Sequence, residues 1–316
     1  MFSSAKVNGK AYHRAGILGR GGSSKVYRVI AAQNNDICAL KKVDCRNDAE
    51  SRASFINEIT LLKKLSGKQE IIQLIDSEVQ SRYVYMVMEA GDTDLNSLLA
   101  TYSGLELSLN RVRYIWEQML CAVQVIHNES IVHSDLKPAN FVIVKGRVKL
   151  IDFGISKAIA ADTTNIGRDQ QIGTANYMPP EALLDTGLGD DGKRLMKLGR
   201  PADVWELGCI LYQLVYGQQP FAHIRDLSSK ILQIQNPLHR INYPPYSVPK
   251  NNRGEELKHL STKVGPDLLQ TMQSCLKYYP KERATIPELL QQPFLRRSGD
   301  EVPCESISPS LLCQFP

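Results

Sequence analysis

The chain has 316 residues, 43% of them hydrophobic and 22% charged, with a formal net charge of +5. This is enough chain to bury a sizeable core divided between two lobes or domains. Lys and Arg cluster no further than pairs such as Lys41-Lys42 and Arg296-Arg297, so the mild basic excess reads as ordinary surface charge and gives no footprint for direct nucleic-acid binding.

Residues 1–11 read as a lead-in with neither the apolar centre nor the cleavage pattern of a signal peptide. The first elements are then strand, tight glycine turn, strand: Ile17-Leu18, Gly19-Arg20-Gly21-Gly22-Ser23-Ser24-Lys25, Val26-Tyr27-Arg28-Val29. Glycines let backbone N–H groups come close to phosphate oxygens, although many such turns are plain hairpins. Gly-x-Gly followed by Val26, with no Gly-Lys-Ser/Thr, resembles the glycine-rich loop of protein kinases rather than a Walker loop; Ser24 stands where that loop has its third glycine. Leu18, Gly19, Gly21, Gly22 and Val26 are therefore candidate nucleotide contacts.

The next apolar strand, Ile37 to Val43, carries Lys41. A lysine ending a strand ordinarily faces solvent. In Ala39-Leu40-Lys41, twenty positions after Gly21, it resembles the kinase lysine that holds the α- and β-phosphates, and its partner should be an acid on the following helix. Residues 51–65 have a helical period with Phe55, Ile59, Leu62 and Leu65 as the apolar stripe. Glu58 lies beside that stripe and can face Lys41, although taken alone it is a solvated helix glutamate. Two strands follow, Ile71 to Asp76 and Tyr83 to Met88, and complete a small lobe over residues 12–88.

After Met88 the chain turns polar, and residues 89–93 read as the hinge between lobes. The backbone of Glu89, Ala90 and Gly91 would meet an adenine edge. Leu18, Val26 and Ala39 would form the apolar lid, Met88 would guard the pocket behind, and Val142 is a further candidate contact. The large lobe, residues 94–297, contains an amphipathic helix over Asn110 to Glu129 and then His133-Ser134-Asp135-Leu136-Lys137-Pro138-Ala139-Asn140. A hairpin around Lys145-Gly146-Arg147 delivers Asp152-Phe153-Gly154. These two runs supply what phosphoryl transfer requires: Asp135 to orient a hydroxyl and accept its proton, Lys137 to offset charge on the γ-phosphate, and Asn140 and Asp152 to hold magnesium. Any one of them could be a turn residue; all four at these intervals point to ATP and Mg2+ chemistry.

Residues 155–180 form a long polar segment, unusual unless functional, inside the segment over 152–181 that reads as the activation segment. It carries Thr163, Thr164 and Thr174 and closes on Tyr177-Met178-Pro179-Pro180-Glu181, where Glu181 should pair with Arg283. Residues 185–201 read as a variable linker. Residues 203–212 read as an apolar helix whose Asp203 either caps its N-terminus or, as in kinases, ties down the catalytic loop. Smaller helices and loops follow, and residues 298–316 are expected to be disordered. The seven cysteines are odd in number, widely spaced and without Cys-x-x-Cys, which supports neither a disulfide framework nor a zinc site and points to an intracellular setting. Cys121 and Cys209 read as core residues. No apolar run approaches the roughly 20 residues that cross a bilayer, so no membrane role is expected.

Over residues 12–295 the chain thus resembles the protein kinases. GRGGSSKVY, YMVMEAGDTDLNSLL, IVHSDLKPANFVIV, IGTANYMPPEAL and ADVWELGCILYQLVYGQQPF are similar to the monopolar-spindle (TTK) family of dual-specificity kinases. The resemblance implies an α+β, two-lobed fold, with a small antiparallel sheet and one main helix in the first lobe and a larger, mainly helical second lobe. It implies transfer of phosphate from Mg-ATP to Ser, Thr and sometimes Tyr of proteins and autophosphorylation at Thr163, Thr164 or Thr174, with transient homodimers for reaction in trans. It further implies spindle-checkpoint substrates at kinetochores and a nuclear, kinetochore and cytoplasmic location. Ser134 departs from the general kinase pattern, which has an arginine before the catalytic Asp to meet an activation-segment phosphate. The family usually has a long region before the kinase domain, so the chain reads as an isolated domain or a short form. The rival, a pseudokinase scaffold, would be favoured by loss of Lys41, Asp135 or Asp152, and all three are present.

Overall fold

Alternating apolar residues and short polar turns build the first lobe of the computed structural model, which describes residues 3–21, 23–46, 49–153, 175–184, 198–251 and 253–296. Six strands form one antiparallel sheet: β1 (Ser4–Val7), β2 (Lys10–Arg20), β3 (Ser24–Ala31), β4 (Ile37–Asp44), β5 (Leu74–Val79) and β6 (Tyr83–Glu89), in the order β1-β2-β3-β4-β6-β5. Helix α1 (Ala49–Lys64) packs on one face through Ile59, against Val43, Cys45, Val84 and Met86. The other face encloses Val7, Tyr12, Val29, Leu40 and Val87.

Strand β1 corrects the expectation that the first strand starts near Tyr12. Its signal was Asn8-Gly9 between two alternating runs. Both residues have positive φ, 48° and 78°, as a two-residue hairpin turn of the primed type requires. Asn8 also fixes the turn to the far edge of the sheet: its N–H donates to Glu78 Oε2 at 2.6 Å and its Nδ2 donates to Asp76 Oδ1 at 2.6 Å.

From β6 the chain passes Gly91 and Asp92 into a three-stranded sheet of β7 (Thr93–Asp94), β8 (Phe141–Val144) and β9 (Arg147–Leu150). Asp94 caps α2 (Leu95–Thr101) by accepting from Ser97 N–H at 3.0 Å, and Ser108 caps α3 (Leu109–Asn128) by accepting from Arg111 N–H at 3.3 Å. A Cβ at Gly91 would lie 3.0 Å from Val142 Cβ and 3.3 Å from Ile143 O, so the connection passes close over β8 only as glycine. Lys145 and Gly146 take positive φ to turn β8 into β9, and the Lys145 N–H donates to Asp92 Oδ2 at 2.9 Å.

Beyond lie α4 (Pro180–Leu183), α5 (Arg200–Tyr216), α6 (Leu227–Gln235), the short pair β10 (Tyr246–Ser247) and β11 (Thr262–Lys263), α7 (Pro266–Cys275) and α8 (Ile286–Leu290). Helix α5 begins three residues earlier than expected, inside the segment read as linker, because Pro201 suits a first helical turn. It ends at Gly217 with φ 72°. Its Ala202 to Leu211 are all buried, and with α3 and α7 it forms the main core. The core continues into the first lobe through Leu62 and Leu65 of α1 and through Ile71, bridged to Leu150 of β9. Of the two cysteines read as core, Cys209 is fully buried and Cys121 only partly so. No helix among the described residues is long and apolar enough to cross a membrane.

Candidate active site

Register brings the predicted residues of the small lobe to one face. Val26 lies opposite Lys41 across β3 and β4, and Ala39 lies opposite Met88 across β4 and β6. Gly19 pairs with Val26, and Leu18, 45% exposed, sits at the irregularity between Ile17 and Gly19. The turn closes by the Gly21 N–H donating to Ser24 O at 2.9 Å, which engages that amide within the loop. Gly22 lies outside the described residues. Glu89 and Ala90 follow Met88 directly, and Val142 comes up beneath Gly91, so the nucleotide candidates of both lobes share one region.

Lys41 is buried, and its Nζ donates to Glu58 Oε1 at 3.0 Å and Oε2 at 3.2 Å and also to Asp152 Oδ1. Burial alone would lower its pKa, but the two carboxylates, Asp152 first, raise it above the ordinary lysine value. Burial pushes Glu58 up despite the pull of Lys41. At Asp152 burial acts upward too, but Lys41 prevails and holds the carboxyl below its usual range. Asp152 has φ 61°, a conformation that side-chain-bearing residues rarely adopt. It follows Ile151, whose N–H donates to Asn140 O at 2.8 Å.

In the segment between α3 and β8, Lys137 Nζ donates to Asp135 Oδ2 at 2.8 Å, with both side chains about a third exposed. Asn140 is buried in a 3-10 turn over Pro138–Asn140, and its Oδ1 accepts from Lys137 N–H at 3.1 Å. Ser134 also has positive φ, 58°. What holds it there is Asp203 of α5, fully buried, which accepts from His133 N–H at 3.0 Å and Ser134 N–H at 2.7 Å and lies 2.7 Å from His127 Nε2. Of the two expectations for Asp203, the contact with this loop is the one realised.

Glu181 and Arg283 meet as expected, two parallel bonds of 2.7 Å each, with the Arg283 guanidinium also over the Trp205 ring. Gly154, Thr163, Thr164 and Thr174 lie outside the described residues. Two polar contacts escaped sequence reasoning. Lys149 of β9 pairs with Glu89 Oε1 at 2.6 Å beside the connection between lobes, and nothing in the local pattern marks it. Glu206, on α5, was readable as an acid in an otherwise apolar run.

The donor set suits magnesium in type: an amide oxygen and a carboxylate are hard oxygen ligands, and that ion takes few from protein when phosphates supply the rest. Among the described residues no group of three or more His, Cys, Asp or Glu is placed to hold a metal ion by itself.

Comparison with known proteins agrees with this geometry. Residues 12–295 match the protein kinase domain. The chain is 50% identical to serine/threonine-protein kinase mph1 of Schizosaccharomyces pombe over 89% of its own length and 42% of that protein's. It is 43% identical to the dual specificity protein kinase TTK of Mus musculus over 92% of its length and 32% of the relative's. With Saccharomyces cerevisiae serine/threonine-protein kinase MPS1 the identity is 40%, over 92% and 37%. The chain therefore spans less than half the length of these relatives. With a match covering most of its residues and this arrangement of side chains, the chain belongs to the protein kinase domain family.

Proposed function

We propose that the chain is an active protein kinase that transfers phosphate from ATP to Ser and Thr of proteins, and to Tyr as a dual-specificity enzyme. The observation that carries this reading is Lys41, buried and charged, joined at once to Glu58 of α1 and to Asp152 of the large lobe. A scaffold has no need to enclose an ammonium between two carboxylates beside a glycine turn; phosphate binding does.

In this reading Asp135 orients the acceptor hydroxyl and takes its proton, and Lys137, already 2.8 Å from Asp135, offsets charge on the phosphoryl group. Glu58 aims Lys41 at the α- and β-phosphates. Residues 89–93 serve as the hinge, with the backbone of Glu89, Ala90 and Gly91 toward adenine, Leu18, Val26, Ala39 and Val142 around it and Met88 behind. Magnesium, when bound, would supply positive charge to offset that of the phosphates. Asn140 and Asp152 would hold it, and Gly19, Gly21 and Gly22 would let the loop backbone approach the phosphates. Resemblance to the monopolar-spindle family supports checkpoint substrates at kinetochores, a nuclear and kinetochore location, and transient pairing of two copies for autophosphorylation of Thr163, Thr164 or Thr174.

The test is to incubate the purified chain with Mg-ATP beside an Asp135→Ala variant and to map phosphate by mass spectrometry. Phosphate should appear on one or more of the three threonines in the intact chain, and the variant should be slower by about 10²–10⁴-fold, the usual contribution of a positioned base. No incorporation into the chain itself or into a generic acceptor protein would sink the reading.

A further inference from the structure

Helix α5 carries two buried acids one turn apart, Asp203 and Glu206. Asp203 is accounted for by the amides of His133 and Ser134. Glu206 is not, and an acid among Val204, Trp205, Leu207 and Cys209 is costly to bury unless its polar atoms are engaged. Its Oε2 accepts from the Leu136 N–H at 2.6 Å, and both residues are buried. Leu136 follows Asp135 directly. One helix therefore grips the loop on both sides of Asp135, through the amides of 133 and 134 before it and of 136 after it.

The loop needs that grip. Ser134 is held at positive φ, and the Asp135 amide itself has only a long contact, 3.4 Å, to His133 Nδ1. Burial first, and then the neighbouring Asp203, push Glu206 well above the usual carboxylate range, while the Leu136 N–H acts against the shift. A neutral carboxyl still accepts a hydrogen bond through its carbonyl oxygen, so the anchor does not depend on charge.

We propose that Glu206 is a positioning residue for phosphoryl transfer, setting the place of Asp135 through the Leu136 amide. The inference rests on the role given above to Asp135. It assigns Glu206 to the chemical step, through the loop that carries Asp135, rather than to the adenine contacts expected at residues 89–91.

Glu206→Leu removes the acceptor at similar size, and Glu206→Gln retains an acceptor oxygen in place. With casein as acceptor, kcat of Glu206→Leu should fall about tenfold to a hundredfold, the scale of a small displacement of a catalytic group. KM for ATP should stay within about twofold, and Glu206→Gln should recover kcat to within about threefold of wild type. If Glu206→Leu does not fold, Glu206→Asp, which withdraws the oxygen by one methylene, takes its place: a loss of about tenfold in Asp with recovery in Gln supports the role. Active wild type with unchanged kcat in Leu or Asp overturns the positioning role alone, as does a Gln variant as slow as Leu. Inactive wild type, on casein and on itself, overturns the kinase reading and this inference with it.

Discussion

A lysine enclosed between two carboxylates keeps its proton because each partner penalises the neutral amine, and at Lys41 that effect outweighs the cost of burial. Glu58 contributes both of its oxygens to this arrangement, so it fixes where the ammonium points. Glu58→Ala should leave the fold intact, since Asp152 remains with Lys41, and should lower kcat by about tenfold to a hundredfold through misplacement of the ammonium. Steady-state kinetics beside a thermal melt checks this, and unchanged turnover would refute the pairing as functional. Glu206 supplies a pH signature of its own. Its native pKa is raised by burial, so between the unfolded value of about 4.3 and the native one the folded chain binds more protons than the unfolded chain. Stability from this group is therefore full below about pH 4.3 and declines as pH rises, by at most about 1.4 kcal/mol per pH unit. Wild type should lose stability relative to Glu206→Gln on going from acidic to neutral pH. Denaturant melts of both proteins across that range would show it, and a constant difference would mean that Glu206 does not titrate in the native chain.

Among elements, α5 is the one on which the large lobe is assembled, and its contact with α7 is very close. A Cβ at Gly208 would fall 2.6 Å from Cys275 Cβ and 3.0 Å from Leu276 Cδ2. Gly208→Ala gains about 1 kcal/mol in helix propensity, but overpacking of this kind costs about 1–3 kcal/mol. At so short an approach between Cβ atoms the clash should win. A fall in the midpoint of urea unfolding is expected, and a rise would mean that the two helices separate easily. The same helix illustrates what pattern reading reaches. Its apolar run was plain from 203 to 212. Its true start at Arg200 was hidden by Pro201, which reads as a breaker yet is at home in a first turn. Strand β1 was missed for the opposite reason: four residues with two small apolar side chains carry little periodicity, and the Asn8-Gly9 turn was the only strong mark.

At the scale of the whole molecule, the two lobes are joined by more than the chain that connects them. Lys41 reaches Asp152, Glu89 meets Lys149, and Ile72 N–H donates to Leu150 O at 3.1 Å. The motif residues Lys41, Glu58, Asp135, Lys137, Asn140 and Asp152 were legible because phosphoryl transfer demands particular side chains in a fixed order along strand, helix and loop. Asp203 was legible as to contact only by analogy, Glu206 only as an acid in an apolar run and not as to its partner, and Lys149 not at all. Their partners are a backbone amide 70 positions away and a carboxylate 60 positions away, and no local period records a pairing that only tertiary packing creates.

The Asn8 turn has a consequence for how the protein behaves among its own copies. The outermost strands of the sheet, β1 and β5, present the backbone groups to which a foreign strand could add. Asn8 and Lys10 instead fasten one margin to the other, Asn8 through Asp76, Ser77 and Glu78 and Lys10 through Asp76 at 3.0 Å. The sheet is thereby curled toward closure, and each margin shields the other. A hairpin outside the candidate phosphate site thus ties together the two margins at which edge-to-edge pairing with another sheet would begin.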